Sequence, residues 1–162
     1  DYQTFMGIPG SMLLSEYNMV RYNLGYSYFN LEDYNNAISH FKVYENSVAT
    51  AKPEMIADTR NRLGDSYYIT TQYPQAIAYY DKVIDFGKTD ADYAMFQKSL
   101  IAGVKSSSEK IRTLNALLKQ YPKSNMVPDV NMEIALTYIA DEKFNVLAAC
   151  WLNSSLRSKQ IL

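Results

Sequence analysis

The chain has 162 residues, 48% apolar, 14% aromatic and 20% charged, enough for a packed core and too apolar for a disordered tail. Lys+Arg and Asp+Glu number 16 and 17, a formal charge of −1, which argues against nucleic acid as a partner. A single cysteine, Cys150, excludes an internal disulfide and a cysteine-ligated zinc site, and no apolar run reaches the roughly 18–20 residues a membrane span needs. Residues 1–81 carry 5 basic and 9 acidic side chains and residues 82–162 carry 11 and 8, a mild asymmetry of the kind solvated helix faces produce. With 15 tyrosines but only 6 glycines and 5 prolines, the composition favours helices.

Residues 1–14 open with DYQTFMGIPG, where Tyr2, Phe5 and Met6 precede a Pro-Gly break; the stretch reads as the last turns of a preceding helix. Residues 15–52 form a first unit. Tyr17, Val20, Leu24 and Tyr28 recur at helical spacing, and Met19, Tyr22, Tyr26 and Phe29 make a second apolar flank. A helix apolar on two sides expects neighbours on two sides. Asn30-Leu31-Glu32-Asp33 stops this helix and caps the next, which carries Tyr34, Ala37, Ile38, Phe41 and Tyr44.

Residues 53–88 repeat the pattern at a shift of 39. Arg21 aligns with Arg60, Leu24-Gly25 with Leu63-Gly64, and Tyr28 with Tyr67. Tyr34 aligns with Tyr73, Ala37-Ile38 with Ala76-Ile77, and Phe41 with Tyr80. Pro53 suits the first turn of the opening helix. A mid-helix glycine costs about 1 kcal/mol of propensity. Its recurrence predicts a close approach by the paired helix, with Ala37 and Ala76 as the small residues that permit it.

Residues 89–124 read as a divergent third unit. Tyr93, Phe96 and Leu100 make a first helix, a turn follows at Ser106-Ser107-Ser108, and Ile111, Leu114, Leu117, Leu118 and Tyr121 make a second, closed by Pro122. Gln97 or Lys98 stands where the glycine is expected, and Lys110 replaces the alanine. Residues 125–162 read as a fourth, incomplete unit. Ala135 takes the glycine position, Tyr138, Phe144, Leu147 and Trp151 follow, and Asp141-Glu142 falls at the turn.

These residues resemble the tetratricopeptide repeat family: Leu24-Gly25, Tyr28, Ala37 and Phe41, and again Leu63-Gly64, Tyr67, Ala76 and Tyr80, stand at the consensus spacing. The resemblance implies an all-α fold, a right-handed superhelical solenoid of antiparallel helix pairs forming one array. Units of 39 rather than about 34 are similar to those of bacterial-envelope members, which implies an envelope or periplasmic location. The family also implies a non-catalytic scaffold that binds a protein or peptide in a groove lined by the first helix of each unit. Carried onto this chain, the groove positions are Met19, Tyr22, Tyr26 and Phe29, then Asp58, Asn61, Asp65 and Tyr68, then Asp129, Met132, Leu136 and Ile139. The same residues could instead be covered by a neighbouring unit or by the N-terminal segment. Members that clamp a C-terminal carboxylate use basic residues there; Tyr22, Tyr26, Asn61 and Asp65, with only Arg62 basic, do not make such a clamp.

Neither a catalytic set nor a cofactor or metal site is legible. His40 is the only histidine, the glycines form no phosphate loop, and Cys150 beside Trp151 reads as a small apolar side chain. Two alternatives stay open beside the scaffold. One is a glycan- or small-ligand-binding module stacking sugars on Tyr22, Tyr26, Phe29 and Tyr68. The other is self-association through ends that carry no polar cap, as expected of a chain cut from a longer array.

Overall fold

The computed structural model describes residues 1–13, 16–47, 52–87 and 89–158, and among these every regular element is helical. A short α1 (Tyr2–Met6) and a 3-10 turn precede α2 (Glu16–Asn30), α3 (Tyr34–Asn46), α4 (Pro53–Ile69) and α5 (Tyr73–Phe86). The series continues with α6 (Ala91–Gly103), α7 (Ser107–Gln120) and α8 (Val127–Ser158). The pairs α2/α3, α4/α5 and α6/α7 form hairpins, and α3 packs on α4 and α5 on α6, so each hairpin stacks on the next as a solenoid.

The first two hairpins are equivalent down to the turn. The N–H of Asp33 donates to the Tyr28 carbonyl at 2.9 Å and that of Glu32 to Phe29 at 3.0 Å. Thirty-nine residues on, Gln72 donates to Tyr67 at 2.8 Å and Thr71 to Tyr68 at 2.9 Å. Glu32 and Thr71 both sit in the left-handed region, at φ 60°. This is a Schellman closure of the first helix, built without the usual glycine. Asp33 then caps α3 by accepting from the Asn36 N–H.

The glycines make room, but not for the residues expected. A β-carbon on Gly25 would lie 2.5 Å from the Phe41 ring, and one on Gly64 would lie 2.4 Å from the Tyr80 ring. The close approach is therefore that of an aromatic side chain one turn beyond Ala37 and Ala76. Those alanines are fully buried in the same core, with Leu63, Tyr67 and Val83.

The third hairpin keeps the topology at a shorter repeat. Its helices end and begin at Gly103 and Ser107, 34 residues after Ile69 and Tyr73. The shortening falls mostly on α6, which has 13 residues against 17 in α4. At this shift Lys98 takes the position of Gly64 and Leu114 that of Tyr80, so the bulky ring is absent where the glycine is absent. Ser106 caps α7 through the Glu109 N–H, and Leu114 and Leu117 share a second core cluster with Met95 and Val130.

Residues 127–158 correct one expectation. They form a single 32-residue helix in place of a helix pair, and Asp141-Glu142 lies within it rather than in a turn. Asp141 accepts from the Ser107 hydroxyl at 2.8 Å, which holds α8 along α7. Tyr138, placed by repeat position among the packing residues, is 57% exposed, whereas its counterpart Tyr67 is 6% exposed. No second helix follows to cover it among the described residues. The side chains of Leu147, Cys150 and Trp151, and residues Ile161-Leu162, lie outside the described residues.

Between the first two units a buried carboxylate is shared. Glu45 of α3 accepts from Arg60 of α4 at 2.9 Å and from Lys82 of α5 at 3.2 Å. Arg60 also lies over the Phe86 ring, and its counterpart Arg21 over the Tyr17 ring. Both arginines thus combine their fixed charge with an aromatic neighbour at equivalent positions of the repeat. His40 is half-buried, stacked on Tyr28 with 5.3 Å between ring centroids. Burial, then the nearby Arg21, holds its pKa below the usual value.

Candidate functional site

Three of the four expected groove residues of α2, Tyr22, Tyr26 and Phe29, meet α4 and are half-buried. The Tyr22 and Tyr26 hydroxyls both donate to Asp58 Oδ2, at 2.7 and 2.5 Å. Their rings meet edge to face at 5.0 Å and pack on Phe41 and Tyr44. Burial, then the bond to Asp58, pushes Tyr22 up to about 12, and the same causes push Tyr26 higher still, so both remain donors. The neighbouring unit covers these rings in part and leaves them half-buried. The N-terminal segment instead reaches Asn23 and Tyr28, through Tyr2 and Gln3. Met19, one turn earlier, is 42% exposed.

Arg62 is the hinge of this seam. Its guanidinium lies between the rings of Phe29 and Tyr93, 5.6 and 5.5 Å from their centroids. Nη1 pairs with Asp65 at 2.7 Å, and Nε stands 3.8 Å from Asp58. Burial opposes the charge, but Asp65 and the surrounding acidic and phenolic groups outweigh it and raise the Arg62 pKa. Asp65 is buried and also accepts from Tyr80 at 2.8 Å and Tyr93 at 3.0 Å. Desolvation raises its carboxyl above the usual range despite Arg62 and those bonds. Asp65 therefore joins α4, α5 and α6 and is not free for a ligand. Tyr68 is half-buried, tilted against Tyr73 at 5.9 Å.

Asn61 stands apart. It is only 2% exposed, its Nδ2 reaches the Asp90 carbonyl at 3.5 Å, and its Oδ1 has no hydrogen-bond partner. It forms part of the wall of a half-open cavity of about 320 Å³ with Asp58, Arg62, Asp90, Asp92 and Tyr93 and, from further along the chain, Asn125 and Met126. The missing turn at the start of α6 leaves this space beside α4. On α8, Met132, Leu136 and Ile139 are exposed at the repeat positions of Asn61, Asp65 and Tyr68, and Asp129 at that of Asp58.

The expected residues thus divide into three groups. Tyr22, Tyr26, Phe29 and Asp65 are brought together as an inter-unit seam; Asn61 and Asp58 wall a cavity; Met19 and the α8 residues remain open, while Tyr68 stays apart from all three, packed on Tyr73 of its own hairpin. The contribution of Asp90, Asp92 and Tyr93 escapes a repeat-by-repeat reading of the sequence. One signal was present: Asp92 stands 34 residues after Asp58, the repeat length of the third unit.

Residues 20–42 and 57–86 match the tetratricopeptide repeat family model. No curated protein matches the chain. Among solved structures it is similar to the C-terminal tetratricopeptide-repeat-containing domain of a Plasmodium falciparum protein described as FK506-binding, at 15% identity and a TM-score of 0.60. That likeness covers 79% of this chain and 90% of the other, and it concerns the fold. The resemblance to bacterial-envelope members finds no support in these matches. The two segments that match the repeat model, 20–42 and 57–86, fall on the first two hairpins of a solenoid that is all-helical among the described residues.

Proposed function

We propose that the chain is a non-catalytic protein-interaction scaffold whose partner, a peptide or protein segment, lies along α2, α4, α6 and α8. The observation that carries this reading is the row of equivalent positions on successive first helices. It runs from exposed Met19 past the Asn61 cavity to exposed Met132, Leu136 and Ile139. Apolar side chains beside a polar recess are what an extended or helical segment uses for affinity and register. The inter-unit seam beneath, held by the Arg62–Asp65 pair and the Tyr80 bond to Asp65, supplies rigidity and lowers the cost of ordering the wall on binding. Sugar stacking gains less support, because Tyr22 and Tyr26 meet edge to face and commit their hydroxyls to Asp58.

The test is selection of linear peptides from a random displayed library, followed by fluorescence polarisation with the soluble chain. Met19→Lys and Leu136→Lys change exposed side chains and leave the seam intact. Each should weaken a selected peptide at least about ten-fold, the loss of roughly 1.4 kcal/mol at an interface. Parent-like affinity in both variants would remove this wall from the binding surface.

A further inference from the structure

From the cavity between α4 and α6 we infer a pocket for a basic side chain, the lysine or arginine of a bound segment; the inference rests on the scaffold reading and names the chemistry of its ligand. The lining sets three carboxylates, Asp58, Asp90 and Asp92, against the single guanidinium of Arg62, which already pairs with Asp65 at 2.7 Å and stands 3.8 Å from Asp58. An anion would be repelled there.

Two of the acidic groups have ordinary structural work. Asp58 accepts from Tyr22 and Tyr26. Asp92 accepts from the Tyr93 N–H at 2.9 Å and from the Ser124 hydroxyl. Asp90 does not. It precedes α6 at φ 57°, makes no side-chain cap bond, and enters no salt bridge among the described residues. Burial, then Asp58 and Asp92, raises its carboxyl above the usual range, and Arg62, which pulls the other way, does not cancel them.

Asn61 Oδ1 supplies the second, independent sign: a buried acceptor in the cavity wall with no donor. Such an acceptor is costly to leave unmade. An ammonium carries three N–H donors and a guanidinium five, so either could meet Asn61 Oδ1 and Asp90 together. A metal ion fits less well, since no three His, Cys, Asp or Glu groups converge as ligands among the described residues. At about 320 Å³ the space lies at the small end of ligand pockets, the scale of one side chain rather than a whole cofactor. Asp129, at the repeat position of Asp58 and Asp92, continues the acidic row onto α8 and would draw a basic segment along the same line.

The probes are lysine, arginine and norleucine, each capped as the N-acetyl N-methylamide, titrated into the isotopically labelled full chain and followed by heteronuclear NMR. The capped lysine or arginine should give saturable shifts at the Asn61 side-chain amide and the backbone amides of Asp92 and Tyr93. Norleucine should give none there. Asp90→Asn, which keeps a residue tolerated in the left-handed region, and Asn61→Ala should each weaken the basic probe at least about five-fold. Equal shifts with norleucine, or parent-like affinity in both variants, overturn the pocket. A selected peptide sensitive to Met19→Lys but indifferent to Asp90→Asn also overturns it, and leaves the scaffold standing. Capture of the capped lysine by a chain that binds no linear peptide would support the pocket and overturn the scaffold.

Discussion

Thr71 is a β-branched residue held at φ 60°, where its side chain crowds the backbone. The Schellman bonds on either side fix it there, so the conformation is imposed by the turn and not chosen by the residue. Thr71→Gly should raise stability by about 0.5–1 kcal/mol, the strain relieved less the added freedom of glycine in the unfolded chain. Urea unfolding measures it, and a lower midpoint in the variant would show that the turn carries no strain. Nothing in Thr70-Thr71-Gln72 announces a left-handed residue, because the sequence signal for that closure is a glycine and none is present. Gly25 and Gly64, by contrast, were legible as sites of close approach. Helical spacing places a residue on a face but says nothing of how far an opposing side chain reaches, so Phe41 and Tyr80 were not identified as the groups that enter.

Within one hairpin the glycine and the ring are a matched pair. Gly64→Ala gains about 1 kcal/mol of helix propensity but forces the Tyr80 ring aside, at about 1–3 kcal/mol of overpacking. The single variant should therefore be less stable than the parent, and the same change in a Tyr80→Leu background should be neutral or stabilising. Thermal or denaturant melts of the four proteins yield the coupling, and strictly additive effects would contradict the contact. The third hairpin already shows the alternative, with Lys98 and Leu114 at the two positions. Equivalence at a shift of 39 was readable and extends to the hydrogen bonds of the turn. The continuity of α8 was not. Two adjacent carboxylates suggested a turn, yet from 129 to 158 the chain has no glycine or proline to stop a helix.

Across the array, tyrosine hydroxyls tie one unit to the next. Burial first, and then Asp58, Glu45 or Asp65, pushes Tyr22, Tyr79 and Tyr93 up to about 12, with Tyr26 and Tyr80 higher. A group raised on folding contributes stability that is whole below its unfolded value and is lost as pH rises through its folded value. The melting temperature should thus fall steadily as pH climbs from 10 towards 12, and Tyr26→Phe should lessen the slope. Thermal scans at constant ionic strength test this, and a flat profile above pH 10 would place these phenols in solvent. The candidate wall was legible as a set of positions on successive first helices. Its division into seam, cavity and open surface was not, because partners such as Tyr26 and Asp58 lie 32 residues apart and meet only through stacking.

Glu45 has a consequence for the whole array. One unit further along, the repeat positions of Glu45 and Arg60 hold Ile84 and Ala94, so this buried ionic contact exists at the first junction only, and the second is bridged instead by the more exposed pair Asp81 and Lys98. The hairpins are consequently not interchangeable modules. Transposing them would seat a desolvated anion against alkyl groups, at a cost of several kcal/mol, so the linear order of the parts is written into their chemistry.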